Sequence, residues 1–162
     1  MLIYGIDPGA STGLAVFDDG RLLRLETHSP ESIMVVLAKT PPRLLIFEDS
    51  RLQQHVWSRG VTARVMQKVS RDIGRIDAWC IQLEALCIRN YIDFLPVSPR
   101  AKGSKLSAKE FKAFTGWRER CNQHERDAAM VAWPFRSMRS SSVRRMTTEK
   151  THHSNLIPSA HM

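Results

Sequence analysis

The sequence predicts an α/β domain in which three antiparallel strands lead into parallel ones and helices cover the sheet. Three observations carry this. Two β-rich runs, 13–18 and 21–27, flank Asp18-Asp19-Gly20, a strong hairpin turn signal. A short, wholly apolar run, Leu44-Leu45-Ile46-Phe47, has the pattern of a central strand. A long stretch of three-and-four apolar spacing then separates it from one more strand-like run. The resulting order is β-β-β-α-β-α-β-α-α.

Each element has its own signal. Residues 2–7 (Leu-Ile-Tyr-Gly-Ile-Asp) read as a buried strand, and residues 13–18 and 21–27 as the next two. Pro30-Glu31 opens a short helix to about Ala38, with Ser29 as its N-cap, and Pro41-Pro42 stops that region. The apolar strand at 44–47 ends on Glu48-Asp49, and residues 49–58 read as a loop. Helical spacing runs from about Val61 to Ile88, with Val65, Val69, Ile73, Ile76, Trp79 and Leu83 on the expected buried face. Tyr91 to Val97 is a fifth strand, closed by Pro99. A basic loop and helix span 100–115, and a last helix runs from about His124 through Ala132, with Pro134 at its end. The domain is expected to occupy 1–136. From Ser137 the chain is Ser, Thr, Arg and His, so 137–162 is expected to be a weakly ordered basic tail.

With 162 residues and 43% hydrophobic content, the chain has room for one real core. Lys and Arg number 24 against 16 acids, a net charge of +8. That excess favours a polyanionic partner, most simply nucleic acid, although a basic surface also serves solubility alone. Cys80, Cys87 and Cys121 form no Cys-x-x-Cys pair, which argues against a zinc ribbon and fits a reducing cytosol. No apolar run approaches the length of a membrane span and no signal peptide is visible, so a cytoplasmic location is expected.

The chemistry-bearing residues are acids at strand ends. Asp7 closes the first apolar run and is followed at once by Pro8-Gly9-Ala10-Ser11-Thr12-Gly13. A carboxylate there needs a cation or a hydrogen-bond network, so Asp7 holds a metal, serves phosphate chemistry or caps a turn. Glu48 ends the fourth strand, and ligand sites of open α/β sheets gather at strand ends. Asp127 lies three residues after His124 on the last helix, so the two share a helix face. Glu48 could instead pair with Arg51, Asp127 could serve the helix dipole, and His124 could be a cap. Asp49 points away from Glu48 if the strand continues, and is left out of the set. Together the acids suit magnesium, a hard cation that takes a few carboxylates and keeps several waters.

Gly5-Ile6-Asp7-Pro8-Gly9 with Thr12-Gly13, then Ile46-Phe47-Glu48, then His124-x-x-Asp127-Ala128-Ala129, resembles the RuvC-like Holliday junction resolvases of the RNase H-like superfamily. The resemblance covers roughly residues 1–135. It implies an RNase H-like mixed five-stranded sheet with flanking helices, a homodimer, and Mg²⁺-dependent symmetrical cleavage of four-way DNA junctions. On chemical grounds two such ions per site can clamp a scissile phosphate, and Mn²⁺ could substitute. The family's catalytic acids fall on Asp7 and Glu48, and its closing pair on His124 and Asp127. The chain between Glu48 and the last helix departs from the bacterial enzymes, which makes a compact phage-type member the better match.

Basic residues flank these acids. Arg100, Lys102, Lys105, Lys109, Lys112, Arg118 and Arg120 crowd the segment before the last helix. They can follow phosphates without reading sequence, or form a solvated helix face. In the loop after Glu48, Arg51 and Arg59 are candidate DNA contacts, and Trp57 is a candidate for stacking on an unpaired base or for packing into a dimer face. Two other functions compete. The Asp7 turn resembles the phosphate loop of actin-like ATPases and sugar kinases, which need two such lobes. A branched-DNA-binding module that has lost catalysis is the other, against which the retained acids argue.

Overall fold

The strands β1 (Leu2–Asp7), β2 (Thr12–Asp18), β3 (Arg21–His28), β4 (Leu44–Glu48) and β5 (Asp93–Val97) make one sheet in the order β3-β2-β1-β4-β5. The structure is a computed structural model and describes residues 1–53 and 62–138. β1 pairs antiparallel with β2, and β2 with β3; β1 pairs parallel with β4, and β4 with β5. The Asp18-Asp19-Gly20 turn joins β2 to β3, with Asp19 and Gly20 both at positive φ as a tight hairpin requires. β4 is buried along Leu44–Phe47, as its apolar run demands of a central parallel strand.

Period-two alternation divides the side chains between two cores. Tyr4, Ile6, Leu14, Val16, Leu45 and Phe47 face one layer, made by α1 (Pro30–Lys39) and α2 (Ala63–Arg89). Ile3, Ala15, Phe17, Leu44 and Ile46 face the other, made by α3 (Ala108–Thr115) and α4 (Gln123–Ala132). The helix starts obey local chemistry. Ser29 caps α1 by accepting from Ser32 N–H, and Thr62 caps α2 by accepting from Val65 N–H. Ser107 and Asn122 open α3 and α4 with reciprocal capping boxes to Glu110 and Glu125.

One expectation about α2 fails. Val65 and Val69 were expected on the buried face, yet they are 50% and 39% exposed. The reason is length. A helix of 27 residues spans about 40 Å, whereas the five-residue strands beneath it span about 17 Å, so its first half overruns the sheet. The same stripe becomes buried only from Cys80 onward, through Leu83 and Cys87.

After α4, Trp133 packs edge-on against Phe17 and carries the Arg136 guanidinium 4.0 Å above its ring. Met138 still packs against the α4-side core; the remainder of the expected tail lies outside the described residues. Among the described residues no helix is long and apolar enough to cross a membrane.

Candidate active site

The alternation that builds the two cores also aims the acids. Ile3 and Gly5 face α4, so Asp7, two residues further along β1, continues on that face. Leu44 and Ile46 face the same way, and Glu48 follows them. β1 and β4 run parallel with Ile6 beside Phe47, so Asp7 and Glu48 leave neighbouring strands at the same end of the sheet. Between Asp7 and the start of β2 the chain turns sharply, and the turn is closed by the buried Thr12, whose Oγ1 donates to the Gly9 carbonyl at 2.8 Å.

α4 supplies the other half. It lies close against the sheet because two positions beneath it are glycine. A Cβ on Gly5 would overlap the Ala128 carbonyl oxygen and sit 2.7 Å from Ala132 Cβ, and one on Gly13 would overlap the His124 carbonyl. The helix N-terminus is tied to β3 as well. Thr27 Oγ1 donates to Glu125 at 2.9 Å and accepts from Asn122 Nδ2 at 2.7 Å. Asn122, not His124, is therefore the cap. Asn122→Ala is expected to lower stability by about 1 kcal/mol, read as a shift of the urea midpoint at constant slope.

His124 Nδ1 stands 3.2 Å from Asp7 Oδ2, which joins α4 directly to β1. Asp127 is almost fully buried, at 3% exposure, and accepts from Gln123 Nε2 at 2.8 Å. Lys105 reaches it from the basic loop, with Nζ 3.7 Å from Oδ2. Gln123 is in turn held by Arg126, whose guanidinium also donates to the Cys121 and Leu106 carbonyls. Arg126 thus staples the α3–α4 connection and orients the partner of Asp127. Neither Arg126 nor Gln123 was singled out in the sequence, because Arg126 bonds mainly to backbone carbonyls and reaches Asp127 only through Gln123.

The donor set of three carboxylates and an imidazole is chemically apt for a hard divalent cation. Among the described residues, no group of three or more His, Cys, Asp or Glu side chains is drawn together closely enough to coordinate one ion. The structure brings Asp7 and His124 into contact, and sets Glu48 and Asp127 on the same side of the sheet.

Arg51 does not pair with Glu48. Its Nε and Nη2 fork onto the two oxygens of Asp49 at 2.8 and 2.7 Å, and Nη2 also donates to Glu84 on α2 at 2.7 Å. Asp49 is 1% exposed and points to the α2 side, as strand parity required. Burial pushes its carboxyl upward, but the side-chain and backbone hydrogen bonds from Arg51 outweigh this and hold it below the usual range. Burial and the nearby Asp49 charge push the Cys80 thiol up to about 12, so it stays protonated, 3.6 Å from the Glu48 carbonyl.

Of the other candidate DNA contacts, Lys105, Lys109 and Lys112 are exposed on the loop and helix beside α4. The side chain of Lys102, and Trp57 and Arg59 entirely, lie outside the described residues.

No protein-family model matches the chain, and no curated protein matches it in sequence. Solved structures do match. One, of Thermus thermophilus RuvC in complex with a Holliday junction substrate, aligns with a TM-score of 0.52 at 20% identity, over 91% of this chain and 97% of that one. Another, of Thermus thermophilus RuvC, aligns with a TM-score of 0.54 at 17% identity, over 91% and 98%. From the sheet order, the placement of the helices and this likeness together, the chain has the RuvC fold, an RNase H-like mixed five-stranded sheet flanked by helices.

Proposed function

We propose that this protein is a metal-dependent endonuclease that resolves branched DNA, four-way junctions foremost, by paired symmetrical cuts. The observation that carries this reading is the arrangement of the acids. Asp7 and Glu48 leave adjacent parallel strands on one face, and α4 lays His124 and Asp127 over that same face. Asp7, Glu48 and Asp127, with His124, would hold Mg²⁺, two ions per site, with Mn²⁺ as a substitute. Bound metal supplies an activated water and offsets the charge that develops on the phosphate.

The chain's own residues do the remaining work. His124 turns Nδ1 to Asp7, which leaves Nε2 as the nitrogen for metal or proton. Lys105, Lys109 and Lys112, exposed on the loop and helix beside α4, would bind the backbone without reading sequence, and Lys102 belongs to the same basic stretch of sequence. Affinity should therefore fall steeply with salt.

Paired cuts need two copies. The overhanging half of α2 supports a homodimer, since Met66, Val69, Ile73 and Ile76 continue at heptad spacing the stripe that Cys80, Leu83 and Cys87 bury in the core. A second copy packed there would cover Val65, Met66 and Val69. The cytoplasm of a bacterial or phage-infected cell is where such an enzyme would meet its substrate.

The test is one panel. Labelled four-way junction, flap, linear duplex and RNA–DNA hybrid are incubated with the protein, with Mg²⁺, with Mn²⁺ and with neither. Metal-dependent symmetrical nicks in the junction are expected. Binding without nicking under every metal condition would leave a non-catalytic DNA-binding module, and saturable ATP binding would revive the ATPase reading.

A further inference from the structure

Residues 48–51 are pinned to α2 at three points along one helix face. Asp77, Cys80 and Glu84 are three and four residues apart, so they stack along a single stripe. Each receives a different part of the segment that leaves β4. Ser50 Oγ donates to Asp77 Oδ1 at 2.6 Å, the Cys80 thiol meets the Glu48 carbonyl at 3.6 Å, and Arg51 Nη2 donates to Glu84 at 2.7 Å. On the other side, Asp49 N–H donates to the Val97 carbonyl at 2.8 Å, which holds the segment to β5. Asp49 itself, buried, takes the Arg51 backbone N–H at 3.0 Å and the Nε and Nη2 groups along one edge of its guanidinium.

We infer that Arg51, with Asp49 and Glu84, forms a latch that positions Glu48, and that Arg51 is a positioning residue rather than a DNA contact. The inference rests on the nuclease reading for its effect on cleavage. The Nε–Nη2 edge of the guanidinium is engaged by two carboxylates, and an Arg whose forked edge is already paired is a poor bidentate donor to phosphate. Releasing it would leave the Asp49 carboxylate buried and without its compensating cation. These contacts and apolar packing hold α2 behind the strand end that carries Glu48, so loosening them moves the carboxylate that must meet the metal. Misplacement of about 1 Å at such a site costs on the order of a hundredfold in rate.

The experiment uses Arg51→Ala, Arg51→Lys and Glu84→Gln in the full chain. The readouts are kcat and KM on a four-way junction, Mg²⁺ half-saturation, the salt slope of junction binding, and amide hydrogen exchange over residues 48–52. A latch predicts that Arg51→Ala and Glu84→Gln each lower kcat by about ten- to a hundredfold and raise the Mg²⁺ requirement. KM and the salt slope stay at wild-type values, and exchange at 48–52 quickens. Arg51→Lys does not restore kcat, because an ammonium cannot reproduce the fork. Weaker junction binding in Arg51→Ala, with a salt slope smaller by about one and kcat unchanged, would overturn the inference and make Arg51 a phosphate contact. So would restoration of wild-type kcat by Arg51→Lys. If the wild-type protein cuts nothing, yet Arg51→Ala and Glu84→Gln quicken exchange at 48–52, the latch stands and the nuclease reading falls. If a variant fails to fold, Glu84→Gln is decisive, since it removes only the outer partner.

Discussion

Asp7→Asn is expected to leave a folded protein that binds four-way junctions at wild-type affinity and cuts them at least about a thousandfold more slowly. The rate loss corresponds to roughly 4 kcal/mol of transition-state stabilisation, the scale of a lost metal-ion contribution. The amide is nearly isosteric with the carboxylate, so the backbone of β1 and the turn closed by Thr12 should not move. It keeps an oxygen that can accept from His124 Nδ1, now 3.2 Å from the Asp7 carboxylate. What it loses is the charge. A neutral group at this strand end neither attracts a divalent cation nor repels the phosphate, so junction binding measured without metal should hold or tighten. The measurements are single-turnover cleavage, junction affinity in the absence of Mg²⁺, and a melting temperature within about 4 °C of wild type. Wild-type cleavage by Asp7→Asn would remove Asp7 from the site and take the metal-ion mechanism with it.

The fold was largely legible because each of its main features has a short-range cause. The hairpin needs Asp19 and Gly20 at positive φ, and the sequence offers them between two strand patterns. The wholly apolar run at 44–47 can only be a strand covered on both faces. Strand parity alone separated Glu48 from Asp49, and the structure sends Asp49 toward α2. Other features were hidden because their causes are long-range. The apolar stripe of α2 records which face is hydrophobic but not where the sheet ends, so the exposure of Val65 and Val69 could not be read from spacing. Arg51 lies beside two acids in sequence, and its second partner, Glu84, is 33 residues away. Asn122 carried a readable signal, an N-cap residue followed by Glu125 three positions on, which the prominence of His124 obscured.

Gly5→Ala is expected to be severely damaging for the addition of a single methyl group. Gly5 lies in the middle of β1, where a glycine ordinarily weakens a strand and alanine would be the better residue. Here the sign reverses. The new Cβ would overlap the Ala128 carbonyl and press on Ala132 Cβ, and both belong to α4, the helix that carries His124 and Asp127. Neither contact is the far end of a flexible side chain, so relief requires the helix to lift from the sheet. Overpacking of this kind costs about 1–3 kcal/mol, and it should appear as a lower urea midpoint at unchanged slope. The functional cost comes through position. Lifting α4 carries Asp127 away from Glu48 and stretches the His124–Asp7 contact, while leaving every acid in the chain. Cleavage should therefore fall about a hundredfold, with a raised Mg²⁺ requirement, under conditions where the variant is still fully folded. Gly13→Ala applies the same wedge one strand over, against the His124 carbonyl, and should produce the same pairing of effects with the larger displacement at His124. Loss of stability with cleavage intact in the folded fraction would show that α4 can shift without disturbing the acids, and that their placement on one face is not what the chemistry depends on.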